Sequence, residues 1–124
     1  MTDPNFILLF VENPAVSAAF YSTLLGRAPV EMSPTFAMFA LASGLKLGLW
    51  SRHTAEPAPT VAGGGAEIGI AVSTAAEVRT VHEAWKAQGV PILQPVTQMD
   101  FGLTFVGTDP DGHRLRVFHP AEGA

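Results

Sequence analysis

The segment Phe101–Pro120 reads FGLTFVGTDPDGHRLRVFHP. Its centre, Asp109 to Gly112, predicts a tight turn, because proline sets φ at the second turn position and glycine accepts a strained conformation at the exit. The residues on both sides are mainly Phe, Val, Leu and Thr, which are typical of β-strands. The segment therefore predicts a pair of adjacent strands joined by a turn.

The second strand of this pair has one apolar face and one charged face. Leu115 and Val117 share the apolar face, because successive side chains of a strand point to opposite sides. The other face carries Arg114, Arg116 and Phe118. A sheet face rarely carries arginine unless the guanidinium is paired or contacts a ligand. The direction of the Arg116 side chain is therefore the main question about function.

Length and composition fit one small domain with surplus apolar surface. The chain has 124 residues, of which 48% are hydrophobic and 15% charged, so part of the surface is expected to meet another subunit or an apolar ligand. The net charge of −4 argues against nucleic acid or an anionic membrane as partner. There is no cysteine for a disulfide, a nucleophile or a metal site. The N-terminus lacks a basic signal-peptide region, and the apolar run 6–11 is too short to span a bilayer, so a cytoplasmic protein is expected.

The two halves of the chain repeat the same order of predicted elements. Residues 5–51 and residues 66–120 each predict a strand, a helix and three further strands, and matching landmarks lie about 61–63 residues apart. Residues 52–65 between them are rich in proline and glycine, which is typical of a linker. The repeat predicts an α+β fold in which one domain, residues 1–124, contains two tandem βαβββ modules.

Both predicted helices have recognisable ends. Asn13 and Thr74 are typical N-caps, and Gly26 and Gly89 are typical terminators. The predicted core-facing residues are Val16, Phe20 and Leu24 in the first helix and Val78, Val81 and Trp85 in the second.

Alternation also separates two faces in the fourth and fifth predicted strands. The leucines between residues 45 and 49 share the core side, which leaves Gly48 and Trp50 on the opposite side. Between residues 67 and 72, isoleucine and valine alternate with Glu67 and two small residues. A small residue beside a large flat one gives a ligand room, and a few polar groups can orient it. In the first strand, residues 6–11, either face could be core.

The open face defines the predicted ligand site. Trp50 is a candidate platform for stacking a planar ligand. Glu67 and Arg116 either pair with each other or contact the ligand, and the alternative is that both reach solvent at the rim. The other aromatic candidates could equally belong to the core. The full set of predicted ligand-binding residues is Trp50, Phe36, Met38, Gly48, Glu67, Phe101, Phe105 and Arg116.

No catalytic residue is predicted. The four histidines form no metal-binding spacing, and no serine lies in a nucleophile-elbow context. The glycine run 63–65 lacks the lysine and the following helix of a phosphate-binding loop.

The order of elements and several motifs resemble the glyoxalase/bleomycin-resistance/extradiol-dioxygenase superfamily. The resemblance covers about Phe6 to Phe118 and rests on the segment Val11–Tyr21 (VENPAVSAAFY), on Leu25-Gly26 and on the turn Asp109–Gly112. It implies that the two modules form a curved mixed sheet with the helices on its outer face. It also implies a homodimer whose cavities are built from modules of two chains.

Enzymes of that superfamily hold a divalent metal on the concave sheet with one ligand from each of four strands. The resemblance places these positions at Phe6, Gly48, Glu67 and close to Arg116. A catalytic metal needs about three protein ligands, and of these four residues only Glu67 has a side chain that can ligate a metal.

The resemblance therefore implies a non-catalytic homodimer, without metal or cofactor, that sequesters a planar aromatic antibiotic of the phenazine type. The alternative is an enzyme of the same superfamily: a metal-dependent lyase or dioxygenase with unusual ligands, or a metal-free isomerase with Glu67 as its base.

Overall fold

The computed structural model describes residues 2–121. Within these residues the chain divides into two compact units, and the boundary lies between Ala62 and Gly63. The first unit contains β1 (Phe6–Val11), α1 (Pro14–Leu25), β2 (Glu31–Met32), β3 (Phe36–Ala40) and β4 (Lys46–Ser51). The second contains β5 (Glu67–Ala71), α2 (Ala75–Ala87), β6 (Ile92–Met99), β7 (Gly102–Thr108) and β8 (Arg114–Pro120). The predicted α+β fold with two tandem βαβββ modules is confirmed.

Each unit builds its own four-stranded mixed sheet. The strand order is β1-β4-β3-β2 in the first sheet and β5-β8-β7-β6 in the second. In both sheets the first strand pairs in parallel with the last strand of the unit, and the remaining pairs are antiparallel. A parallel pair needs a long crossover connection, and here the connection includes the helix of each unit. The two sheets therefore repeat one topology.

The helix ends follow the predicted capping chemistry. The Asn13 side chain accepts a hydrogen bond from the backbone N–H two residues later at 3.0 Å, and Thr74 accepts one from the backbone of Glu77 at 3.1 Å. Gly26 and Gly89 follow the two helices with φ of 65° and 83°, a left-handed conformation that favours glycine. In the part of the chain that is described, neither helix is long and apolar enough to cross a membrane.

The buried stripe of α1 differs from the prediction. Ser17, Ala18 and Tyr21 are buried, whereas Val16 is 51% exposed. The predicted stripe through Val16 was wrong because α1 has apolar or small residues on most of its circumference, so periodicity could not select one face. Small residues let the helix approach the sheet closely. In α2 the predicted stripe is confirmed, because Val78 and Trp85 are buried and Val81 is half-buried.

The core of each unit lies between its helix and one face of its sheet. In the first unit the fully buried side chains include Val11, which settles the open question for β1: Ile7, Leu9 and Val11 share the core side. The buried sheet residues of the two cores are Val11, Ala37, Phe39, Leu47 and Leu49 in the first unit and Leu103, Phe105, Leu115 and Val117 in the second.

Candidate functional site

The turn between β7 and β8 fixes the register that places the arginines. The Gly112 N–H donates to the Asp109 carbonyl at 3.1 Å, and Gly112 has φ of 81°. The buried Asp109 carboxylate accepts hydrogen bonds from the backbone N–H groups of Asp111 and His113, both at 2.9 Å. Because the turn is fixed by four residues and two side-chain contacts, Arg116 lies directly opposite Val106. A shift of one residue would turn Arg116 into the core.

We call the side of the second sheet opposite to α2 the arginine face. Its residues come from all four strands and the turn before β7, and they include Glu67, Gly69, Gln94, Phe101, Thr104, Val106, Arg114, Arg116 and Phe118.

Arg116 is the most heavily bonded side chain of the arginine face. Its Nε donates to Glu67 Oε1 at 2.7 Å and its Nη2 donates to Glu67 Oε2 at 3.0 Å. Its Nη1 donates to Gln94 Oε1 at 3.0 Å and to Thr104 Oγ1 at 3.2 Å. A planar guanidinium that forms two parallel bonds to one carboxylate is held in a single orientation. The predicted pairing of Glu67 with Arg116 is therefore confirmed, and the Arg116 side chain is only 18% exposed.

A second arginine contacts the same carboxylate. Arg114 Nη2 lies 2.6 Å from Glu67 Oε2, and the Arg114 side chain is 35% exposed. The hydrogen bond from Arg116 lowers the pKa of Glu67 below its usual value; burial raises it in part, and Arg114 lowers it further. Glu67 is therefore ionised at neutral pH. Two guanidinium groups therefore share one carboxylate.

Aromatic rings lie beside this charged group. The Arg116 guanidinium carbon is 5.7 Å from the centroid of the Phe101 ring, within the range of a cation–π contact. Phe101 and Phe118 meet edge to face with centroids 6.1 Å apart. Next to Arg116 on β5, Gly69 has open space: a Cβ there would contact only the Phe118 ring, at 3.5 Å. The arginine face thus combines a fixed charge, an aromatic wall and a residue without a side chain.

The side of the first sheet opposite to α1 is different in character, and we call it the aromatic face. Its members include Phe6, Leu8 and Phe10 of β1, Phe36 and Met38 of β3, and Lys46, Gly48 and Trp50 of β4. Trp50 is half-buried and its ring centroid lies 6.1 Å from that of Phe10, with a tilt of 39° between the planes. Phe6 is 41% exposed. The predicted residues Phe36, Met38, Gly48 and Trp50 therefore share one surface.

The space that a side chain at Gly48 would occupy is filled by the side chains of Phe6 and Leu8. A Cβ at Gly48 would lie 2.7 Å from the Phe6 ring and 2.9 Å from a Leu8 methyl group. These two side chains therefore lean over the glycine, and the surface beside Trp50 is lined by apolar atoms.

Phe105 does not belong to the site, which corrects the prediction. It is fully buried on the α2 side of the second sheet, where its ring meets Trp85 at 5.2 Å and His82 at 5.1 Å. The reason is register: Phe105 lies opposite Val117, and directly opposed residues of an antiparallel pair point to the same face.

Several residues of these faces were absent from the predicted set. Arg114 and Phe118 lie two residues before and two residues after Arg116 on β8 and therefore share its face, so strand periodicity alone could have identified them. Thr104 follows from the register across the turn. Gln94 could not have been found, because β6 shifts its register twice between Ile92 and Thr97, and such bulges reverse the order of faces.

The donor set does not fit a divalent metal. Of the residues that the resemblance places at or close to the four metal positions of the superfamily, Phe6 and Gly48 offer no donor, and Arg116 is a cation that would repel a metal ion. Both oxygens of Glu67, the one ligand type present, are bound to guanidinium groups. Among residues 2–121 no group of three His, Cys, Asp or Glu side chains could hold a metal ion.

Glu67 is also a weak candidate for a general base. A base works best when its pKa is near the working pH. Arg116 and Arg114 lower the pKa of Glu67 and so move it further from neutral pH. Proton transfer to Glu67 would also have to break a charge-assisted hydrogen bond.

Comparison with known proteins agrees with the fold. Residues 4–117 match the family model of the Glyoxalase/Bleomycin resistance protein/Dioxygenase superfamily. The chain is 32% identical over 118 residues to the phenazine antibiotic resistance protein EhpR of Enterobacter agglomerans. The matched segment covers 92% of this chain and 89% of that protein.

Solved structures show the same fold. Protein ATC0852 from Agrobacterium tumefaciens is 54% identical with a TM-score of 0.90, covering 98% of this chain and 99% of that one. A glyoxalase-related enzyme from Fulvimarina pelagi is 26% identical with a TM-score of 0.85, covering 96% of this chain and 88% of that one.

Proposed function

The chain belongs to the glyoxalase/bleomycin resistance protein/dioxygenase superfamily, and we propose that it is a non-catalytic member that binds and sequesters a planar aromatic antibiotic of the phenazine type. The similarity to a phenazine antibiotic resistance protein supports the ligand class. The residues at the superfamily's metal positions support binding without catalysis, since three of the four cannot ligate a metal.

The observation that carries the proposal is the environment of Trp50. The half-buried indole lies on the aromatic face, with Phe10 and Phe36 as its neighbours on the two adjacent strands. Offset stacking contributes about 0.5–1.5 kcal/mol beyond the burial of area. Trp50 would therefore orient a planar ligand, while the surrounding apolar side chains supply most of the binding energy.

The protein is proposed to act as a homodimer. Phe6 and Leu8 are 41% and 37% exposed on the aromatic face, and adjacent exposed apolar side chains mark a surface that a ligand or a partner covers. A second copy of the chain that closes over a bound ligand would remove this surface from water. Size-exclusion chromatography with light scattering tests the dimer directly.

The expected affinity is moderate. A drug-sized ligand gains about 0.3 kcal/mol per heavy atom, so a compound of about 25 atoms should bind with Kd near the micromolar range. Sequestration at that strength requires the protein to be at least as abundant as the antibiotic.

Tryptophan fluorescence tests the proposal with an internal control. Phenazine stacked on Trp50 should quench its emission, and the saturation curve gives Kd. The variant Trp50→Phe should lose the quenching and bind several-fold more weakly by calorimetry. The matched control is Trp85→Phe, because Trp85 of α2 is 5% exposed and packs against Phe105; it should keep the quenching of Trp50. Binding that is absent, or unchanged in Trp50→Phe, contradicts the proposal.

A further inference from the structure

The surface of the aromatic face next to Trp50 is formed by side chains of β1. Gly48 precedes Trp50 on this face by two residues of β4, a step of about 6.6 Å, and has no side chain of its own. A Cβ at Gly48 would lie 2.7 Å from Cε1 and 3.0 Å from Cζ of Phe6, and 2.9 Å from Cδ1 of Leu8. Atoms this close stand at about the height of a Cβ above the sheet. The outer end of the Phe6 ring therefore lies low over the glycine.

Phe6 is placed low on the sheet and remains accessible. It is the first residue of β1 and pairs with Lys46, two residues before Gly48 on β4. Its ring thus leans past its own partner toward Gly48, in the direction of Trp50. Phe6 is nevertheless 41% exposed, so part of this side chain is available to a molecule bound on the aromatic face.

The size of the indole limits how much of a planar ligand Trp50 can cover. An indole consists of two fused rings, so a ligand of two rings can stack on it completely, whereas the third ring of a linear ligand extends beyond it. Phe10 continues this surface poorly, because its ring plane is tilted by 39° from that of Trp50. Along β4 the third ring reaches Gly48, where the Phe6 ring takes the place of a side chain.

We propose that Phe6 is a second stacking platform, which makes the aromatic face selective for three fused rings over two. The inference rests on the proposed function and narrows it to ligands with three linearly fused aromatic rings. Gly48 is a positioning residue in this arrangement, because the absence of its side chain lets the Phe6 ring lie low beside Trp50. All these residues belong to β1 and β4 of the first unit.

Phenazine and quinoxaline test the inference, because both contain a pyrazine ring and they differ in having three and two fused rings. Calorimetry gives Kd for each probe. In Phe6→Leu the Kd for phenazine should rise about three- to tenfold, as expected for one lost aromatic contact, and the Kd for quinoxaline should change by less than about twofold. Val16→Ala is the matched control, since Val16 is 51% exposed on α1, and it should leave both Kd values unchanged.

Gly48→Ala tests the positioning role of the glycine. The added methyl group would displace the Phe6 ring, so the Kd for phenazine should rise about as much as in Phe6→Leu. The double variant should bind phenazine as weakly as either single variant, because both substitutions remove the same contact. If the effect of Gly48→Ala adds to that of Phe6→Leu, or weakens quinoxaline equally, Gly48 does not act through Phe6 and the positioning role is wrong.

The outcomes separate this inference from the proposed function. Phenazine binding that is unchanged or tighter in Phe6→Leu, or an equal loss of affinity for both probes, overturns the second platform and leaves binding on Trp50 intact. Failure of the wild-type protein to bind phenazine overturns the proposed function and the second platform with it. Urea unfolding of each variant establishes that a changed Kd comes from folded protein.

Discussion

Arg116 and Glu67 form a bidentate ion pair on the side of the second sheet opposite to α2, with N–O distances of 2.7 and 3.0 Å. The two residues are separated by 49 positions in the chain, and parallel pairing of β5 with β8 brings them together. An arginine is tolerated on a mostly buried sheet face because each of its donor nitrogens has an acceptor.

Loss of the Glu67 carboxylate should destabilise the protein. Glu67→Gln leaves Arg116, which is 18% exposed, without its ionic partner, and an unpaired half-buried charge costs about 1–3 kcal/mol. Urea denaturation at neutral pH measures the change in the free energy of unfolding. Glu83→Gln is the matched control, because the Glu83 side chain is 73% exposed, and a change below about 0.5 kcal/mol is expected there. Equal effects of the two substitutions would contradict the structural role of the pair.

The contribution of Glu67 should also depend on pH. Arg116 and Arg114 hold the pKa of Glu67 below its ordinary value of 4.5, so near that pH the unfolded chain binds a proton that the folded chain does not. The stabilisation is complete above about pH 5 and is lost as the pH falls through the folded pKa. The difference in unfolding free energy between wild type and Glu67→Gln should stay constant from pH 7 to 5 and shrink below it. A difference that grows on acidification would reverse this interpretation.

A substitution in the core should mainly reduce stability, whereas a substitution on the aromatic face should mainly weaken ligand binding. Phe105→Leu removes packing against Trp85 and should lower the free energy of unfolding by about 1–2 kcal/mol. Phe36→Leu, beside Trp50 on the aromatic face, should cost less than 1 kcal/mol in stability but weaken phenazine binding about threefold or more. Urea denaturation and fluorescence titration of both variants provide the comparison. If Phe105→Leu impaired binding without affecting stability, the assignment of faces would be wrong.

Gly102 should be among the least replaceable residues of the second unit. It has φ of 136° at the start of β7, and a Cβ there would collide with the backbone carbonyl oxygen of His119. Because backbone atoms cannot yield as a flexible side chain can, Gly102→Ala should cost at least about 2 kcal/mol. Gly65→Ala is the matched control, since no atom of the described residues lies within 4 Å of its Cβ position, and it should change stability by less than about 0.5 kcal/mol. Thermal unfolding of the two variants decides the matter.

Some features of the site were within reach of the sequence and others were not. The turn Asp109–Gly112 pairs Thr108 with Arg114, so counting back along β7 would have put Phe105 opposite Val117 and therefore in the core. Gln94 was out of reach, because the two register shifts in β6 depend on how that strand packs and have no clear local signal. The stripe of α1 was ambiguous because no charged residue marks its outer side.

The order of strands and helices, their ends and the repetition of one βαβββ module were determined by the sequence alone, because alternation, caps and turns depend on residues that are neighbours in the chain. Only the tertiary structure decided that Glu67 is shared by Arg114 and Arg116 and that Gln94 and Thr104 complete the set of acceptors. Those contacts join residues from four different strands. Their geometry depends on strand register, where a shift of one residue moves a side chain to the opposite face.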